Sequence, residues 1–123
     1  MTKKALTVDD SKTMRDMVSF TLKGAGFEIR EASDGKEALD VVKGYKPDVV
    51  ITDLNMPNMN GFELIRALRG TTDHRYTPIL MLTTEGDDAK KQEGKSAGAT
   101  GWIVKPFAPE KLVQVVQKVC GIG

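Results

Sequence analysis

The chain has 123 residues, 40% of them hydrophobic and 28% charged, with a formal net charge of +1. That is the balance of one ordinary globular domain, and so small a charge gives no general attraction to nucleic acid or to an anionic membrane. A single cysteine excludes an intrachain disulfide framework and fits a reducing, cytoplasmic setting, while no stretch approaches the roughly 20 apolar residues of a membrane span.

The start, Met1-Thr2-Lys3-Lys4, is basic, but the apolar run after it is too short for a signal peptide. Ala5 to Val8 predicts a first strand, closed by Asp9-Asp10-Ser11. Met14, Met17, Val18, Thr21, Leu22 and Ala25 follow at spacings of three and four, one face of a helix. Ser11 or Asp10 can cap it, and Gly24 and Gly26 mark its end. Phe27 to Glu31 alternates like an exposed second strand. After the turn residues Ser33-Asp34-Gly35, the apolar positions Ala38, Leu39, Val41, Val42 and Tyr45 predict a second helix, closed by Gly44 and Pro47.

Val49-Val50-Ile51 is an apolar run of the kind a strand buried on both faces needs, and it stops at Asp53. Gly61 to Arg69 predicts a third helix with Leu64, Ile65 and Leu68 inward. Pro78 to Thr83 is a fourth strand, nearly all apolar. Asp87 to Ala97 predicts a fourth helix with a weak inner face of Ala89, Gly94 and Ala97, so its packing should be marginal. Gly101 to Val104 is a fifth strand before Lys105-Pro106, and Glu110 to Cys120 a last helix with Leu112, Val115, Val116 and Val119 inward. Such alternation, with near-continuous apolar strands, predicts a doubly wound parallel α/β sheet covered by helices on both faces. The chain shows no repeat, linker or low-complexity segment, so residues 1–123 are expected to form a single domain with no effector domain attached.

In a parallel sheet the strand carboxyl ends share one edge, where open α/β folds bind ligands. That edge receives Asp9-Asp10, Asp53, Thr83-Thr84-Glu85 and Lys105-Pro106. Clustered carboxylates repel one another and lose hydration. One lysine and one divalent ion would balance three acids, and a small hard cation, Mg²⁺, suits oxygen donors. A metal-bound carboxylate beside a lysine and a threonine hydroxyl is an apparatus for phosphoryl transfer, with Asp53 as nucleophile. Taken singly, each residue has an ordinary reading. Asp9 and Asp10 can be capping acids, Asp53 a solvated strand-end acid, Thr83 a strand residue and Lys105 a surface lysine; their convergence on one edge argues otherwise.

Asp9-Asp10, Ser11-Lys12-Thr13-Met14-Arg15, Asp53 with Met56-Pro57, Gly61, Thr83 and Lys105-Pro106-Phe107 together resemble the receiver domain of two-component response regulators, over essentially the whole chain. Within that family the likeness is to stand-alone chemotaxis receivers. The resemblance implies a flavodoxin-like (βα)5 sheet in the order 2-1-3-4-5. It implies that Asp53 accepts a phosphoryl group from a histidine kinase and that Thr83 and Lys105 contact that group. Asp10, Asp53 and the backbone carbonyl of Asn55 would ligate Mg²⁺ directly, and Asp9 largely through water. Asn55 and Glu85 stand where the family tunes the lifetime of the phosphate. Thr83 and Trp102 stand at the switch positions, which would remodel the face of the fourth helix, fifth strand and last helix. Trp102 is larger than the family's usual Tyr or Phe, so either its pocket is larger here or it switches less completely; plain packing is an equal reading.

The implied partners are a chemotaxis-type kinase as donor and a flagellar motor switch or other protein target, met by a monomer, with no nucleic acid or membrane. The domain would catalyse only its own phosphorylation and dephosphorylation, so it is not expected to be an enzyme in the ordinary sense. A phosphorelay intermediate or phosphate sink is a rival within signalling. An aspartyl-nucleophile Mg²⁺ phosphatase is a weaker one, because its general acid would fall at Asn55, which cannot serve. A nucleotide- or flavin-binding domain lacks its Gly-rich loop, since Asp9 and Asp10 stand there. Of the remaining residues, His74 reads as a solvated loop histidine, Met56, Met59 and Met81 as gap-filling or loop methionines, and Cys120 as an unactivated thiol.

Overall fold

The computed structural model describes residues 2–122. Strands and helices alternate along it: β1 (Lys4–Val8), α1 (Lys12–Gly24), β2 (Glu28–Ala32), α2 (Gly35–Val41), β3 (Val49–Thr52), α3 (Gly61–Arg69), β4 (Ile79–Thr83), α4 (Asp88–Ala97), β5 (Gly101–Val104) and α5 (Pro109–Val119). The strands pair in parallel in the order β2-β1-β3-β4-β5. This is the flavodoxin-like doubly wound sheet that the alternation and the resemblance imply.

Strand periodicity divides the core between the two faces of the sheet. Val50, Ile79 and Met81 face a layer with Leu64, Ile65 and Leu68 of α3. Val49, Ile51, Leu80 and Leu82 face the opposite layer, with Val18 and Leu22 of α1 and Leu112 and Val116 of α5. Both sides of β3 and β4 are therefore covered, which is why their sequences run apolar without alternation. Truncating a fully buried Leu such as Leu64 or Leu112 should cost about 2–5 kcal/mol.

Local chemistry sets the helix starts. The side chains of Ser11, Asp34, Asn60 and Asp87 accept from the amides of Met14, Glu37, Glu63 and Lys90, and Glu63 completes a reciprocal box at α3. α5 has no side-chain cap and begins instead at Pro109.

Three expectations need correction. The inner stripe of α1 is Val18, Ser19 and Leu22, whereas Met17 and Phe20 are 48% and 82% exposed. Ser19 turns inward because its hydroxyl donates to the Glu31 carboxylate. Next, α2 ends at Val41, short of Tyr45. Tyr45 is buried all the same, its hydroxyl donating to the Glu28 carbonyl and its ring lying against Lys4 and Arg30. Lastly, His74 is not solvated but 4% exposed. The Arg69 guanidinium donates to the carbonyls of His74, Arg75 and Thr77 and draws their loop onto the domain. The His74 ring then lies 3.5 Å from the Thr77 hydroxyl, and burial lowers its pKa. Among the described residues, no helix is long and apolar enough to cross a membrane.

Candidate functional site

The sheet ladder runs one rung past its strands, and that rung carries the site. The Asp9 amide donates to Ala32, the Asp53 amide to Val8 and the Lys105 amide to Thr83. Each functional side chain is thereby fixed by a backbone bond to a neighbouring strand. The carboxyl ends of β1, β3 and β5 meet with Asp9, Asp53 and Lys105 facing one another.

Lys105 Nζ lies 2.7 Å from Asp9 Oδ2 and 3.6 Å from Asp53 Oδ2. Asp9 is the most heavily bonded of the acids: Oδ1 accepts the Ser11 amide, Oδ2 the Lys105 ammonium, its carbonyl the Arg15 guanidinium, and its own amide is in the ladder. Arg15 is held in turn by Glu31. Asp10, in contrast, is exposed, and among the described residues its carboxylate makes no hydrogen bond or ion pair.

Asp53 is 9% exposed. Its Oδ1 accepts the Leu54 amide at 2.8 Å. Burial raises its pKa above the usual carboxylate value; the Lys105 charge opposes that, Asp9 adds to it, and the Leu54 amide and Thr83 hydroxyl draw it back down. Gly61 is required behind it. A Cβ there would lie 2.5 Å from the Asp53 carbonyl oxygen, so α3 can start this close only without a side chain.

Thr83 is fully buried, and its Oγ1 lies 3.4 Å from the Glu85 amide. Glu85 is only partly covered, its carboxylate 4.0 Å from Lys90 Nζ. Asn55 is exposed on the loop after Asp53, and among the described residues its carbonyl accepts no hydrogen bond. Trp102 stands apart from the acids, beneath α4. Its indole N–H donates to the Glu85 carbonyl at 2.8 Å, and its ring is tilted against Phe62 with centroids 6.3 Å apart.

The predicted residues thus form two groups. Asp9, Asp10, Asp53 and Lys105 make the cluster itself, and Thr83, Glu85 and Trp102 make a chain leading away from it. Residues not anticipated for the site are Arg15, through the Asp9 carbonyl, and Asn58. Asn58 has φ 68°, and its side chain donates to Asp34, tying the loop after Asp53 to the start of α2. The left-handed tolerance of Asn was a usable signal for that loop.

One oxygen from each of Asp9, Asp10 and Asp53 can be chosen so that all lie within 4.8 Å of one another. Hard oxygen donors at this spacing, with the Asp10 carboxylate free, fit a small divalent cation such as Mg²⁺. The donor set therefore suits the metal on chemical grounds.

An acid cluster, a buried lysine and a buried threonine on the carboxyl edge of this sheet define a class. The profile of the response regulator receiver domain matches residues 5–117, and the chain belongs to that family. Among its relatives it is similar to the chemotaxis protein CheY homolog of Campylobacter jejuni, with 43% identity covering 98% of this chain and 94% of that protein. Chemotaxis protein CheY1 of Helicobacter pylori is also 43% identical, over 96% of this chain and 97% of that protein. The solved structure of chemotaxis response regulator CheY4 of Vibrio cholerae superposes with a TM-score of 0.92 at 53% identity, covering 97% of this chain and 99% of that one.

Proposed function

We propose that this CheY-like receiver takes a phosphoryl group from a histidine kinase onto Asp53, in a Mg²⁺-dependent step, and that the phosphate switches binding to a protein target. The observation that carries this reading is the position of Lys105 between Asp9 and Asp53, at 2.7 and 3.6 Å. One cation facing two nearly buried acids is ready to stabilise charge as a phosphoryl group arrives.

In the step itself a carboxylate oxygen of Asp53 bonds to phosphorus as the phosphorus–nitrogen bond of a phosphohistidine breaks, and the bonding pair leaves with the imidazole nitrogen. In hydrolysis water attacks the same phosphorus, the phosphorus–oxygen bond to Asp53 breaks with its pair left on the carboxylate, and inorganic phosphate is released. Mg²⁺, when bound, supplies positive charge to the phosphoryl oxygens; Asp10, Asp53 and the Asn55 carbonyl would hold it, with Asp9 acting through water. Lys105 follows the charge from the carboxylates to the phosphoryl oxygens. Thr83 donates its hydroxyl to one of them. The Leu54 amide keeps the Asp53 carboxylate oriented. Asn55 and Glu85 flank the group and set how readily water reaches it.

The likeness to chemotaxis regulators supports a chemotaxis-type kinase as donor and a flagellar motor switch as target, engaged by a monomer through the face of α4, β5 and α5. On that face Val104 is 43% exposed, and Pro106, Phe107, Lys111 and Val115 line a shallow depression.

The test is intact mass after incubation with Mg²⁺ and a small phosphodonor, beside Asp53→Asn and a metal-free sample. One added phosphoryl group that requires both Asp53 and metal is the expected result. The same adduct on Asp53→Asn, or none on the wild type even after rapid quenching, overturns the reading.

A further inference from the structure

The indole of Trp102 is held at three points. Its N–H donates to the Glu85 carbonyl at 2.8 Å. Its ring meets Phe62 at 6.3 Å between centroids, tilted by 37°. Its six-membered edge lies over Gly94 of α4, where an added Cβ would stand 2.6 Å from Cζ3 and 3.0 Å from Cε3. The third contact is decisive. Any side chain at 94 would occupy the space of a rigid ring, so that either the ring rotates away or α4 moves off it, and both uncover the indole. Gly94 is otherwise out of place, since glycine in a helix interior with so little apolar packing weakens the helix further.

Glu85 is gripped at both ends of its own backbone. Its amide faces the Thr83 hydroxyl at 3.4 Å and its carbonyl accepts from Trp102 at 2.8 Å. A continuous chain therefore runs from Gly94 through the indole and Glu85 to Thr83, which lies at the carboxyl edge beside the acid cluster. Rotating the indole outward would break its hydrogen bond, lose the contact with Phe62 and expose apolar ring surface, and nothing in the packing repays those losses.

We propose that Trp102 is a fixed positioning residue for the turn from Thr83 to Glu85, and that Gly94 is the residue that allows it to be one. The ring stays inward with and without phosphate. Its role is to hold Glu85 against the site and so slow the approach of water to phosphorylated Asp53. Glycine at 94 and tryptophan at 102 form a complementary pair, each explaining the other. The second readout below rests on the phosphorylation reading; the first does not.

The experiment uses the intrinsic fluorescence of Trp102, the only tryptophan in the chain, with acrylamide as quencher. Wild type and Gly94→Ala are compared first without metal or phosphate. Wild type is then compared with and without Mg²⁺ and beryllofluoride as a phosphoryl mimic. Gly94→Ala should make the indole clearly more accessible, and beryllofluoride should leave wild-type quenching unchanged. Separately, phosphate loss from Asp53 is timed after removal of a small phosphodonor. Gly94→Ala and Trp102→Phe should each lose phosphate about threefold faster or more, the scale of one ordinary hydrogen bond, and the double variant no faster than either. Phenylalanine fits the pocket but lacks the N–H, so a role in packing alone predicts the wild-type rate for Trp102→Phe. Unchanged quenching in Gly94→Ala, a beryllofluoride effect as large as that of the mutation, or a wild-type rate in Trp102→Phe each overturns the proposal. If Asp53 takes no phosphoryl group, the reading of the previous subsection fails, and the metal-free quenching comparison still decides this one.

Discussion

Lys105 is ion-paired to Asp9 at 2.7 Å, with the two side chains only 10% and 5% exposed. A pair so far removed from water is kept by its mutual attraction, and removing one member leaves a buried charge with no counterpart. Lys105→Ala should therefore lose about 3 kcal/mol in metal-free urea unfolding, with part of the loss recovered in Mg²⁺. The Asp53 carboxyl, which Lys105 draws down, should titrate higher in that variant by carbon NMR. Mg²⁺ binding should survive, while phosphorylation loses its effect on the target. Full phosphate-dependent binding by Lys105→Ala would contradict the assignment.

Asp9 and Asp10 are adjacent in sequence but unequal in the fold. Asp10→Asn should weaken Mg²⁺ binding at least about tenfold by calorimetric titration, since it removes the free carboxylate. Asp9→Asn should weaken it less and destabilise the domain more, because Asp9 is spent on Ser11, Lys105, Arg15 and the ladder. The opposite ranking would exchange their roles.

Gly61→Ala tests the close approach of α3 to Asp53. Its Cβ would stand 2.5 Å from the Asp53 carbonyl oxygen and 3.0 Å from Leu54 Cα, both backbone atoms that cannot swing aside. A loss of about 1–3 kcal/mol in stability, with slower phosphorylation by a small donor, is the expected outcome. A fully active, equally stable variant would show that the loop yields easily.

His74 gives the domain a pH dependence of its own. Burial lowers its folded pKa below the ordinary value of 6.5, so the unfolded chain takes the proton first. This contribution is fully present above about pH 6.5 and is lost as the pH falls through the folded value. It is the only histidine, and Asp53, whose pKa burial raises, works with the opposite sign, its protonation at falling pH favouring the folded chain. Wild type should thus lose stability between neutral pH and the carboxylate range, taking up at most about one proton on unfolding, and His74→Gln should flatten that slope. A wild-type slope retained in His74→Gln would assign the effect elsewhere.

Arg69 ties the end of α4 to the rest of the domain, with two of its nitrogens donating to the Gly98 carbonyl. Arg69→Ala should cost about 3 kcal/mol, as several carbonyls lose a charged donor together. Amide exchange should then rise first in α4, which buries only Gly94 and Ala97. Even in the wild type α4 should exchange faster than α5, which buries Leu112 and Val116. Equal protection of the two helices would show that α4 is not the marginal element.

The strands, the helices and the cluster of Asp9, Asp10, Asp53 and Lys105 were legible in the sequence because each follows from a local rule. Buried parallel strands run apolar, helices repeat at three and four, and residues just after strands share an edge. The rest depended on long-range partners. His74 looks like a loop residue until Arg69, five positions earlier, is seen to bind its carbonyl. Ser19 joins α1's inner face because its hydroxyl has a distant acceptor in Glu31, while Met17, expected inward, is 48% exposed. Gly94 reads as a defect in a weak helix, and only its meeting with Trp102 across a crossover gives it a purpose.

The bonds that Asp9 already makes have a consequence for ion choice. A cation arriving at this edge finds the Asp10 carboxylate, an oxygen of Asp53 and the Asn55 carbonyl, while each Asp9 oxygen already holds one donor and is left to act through water. Three donors cannot dehydrate an ion completely. Water must complete the shell of any ion here, and a small one that gives up its water reluctantly suits such a site better than a large one that gains most from many protein oxygens. The site is thus suited to an ion that arrives wearing most of its hydration shell, and calcium should compete poorly with magnesium there.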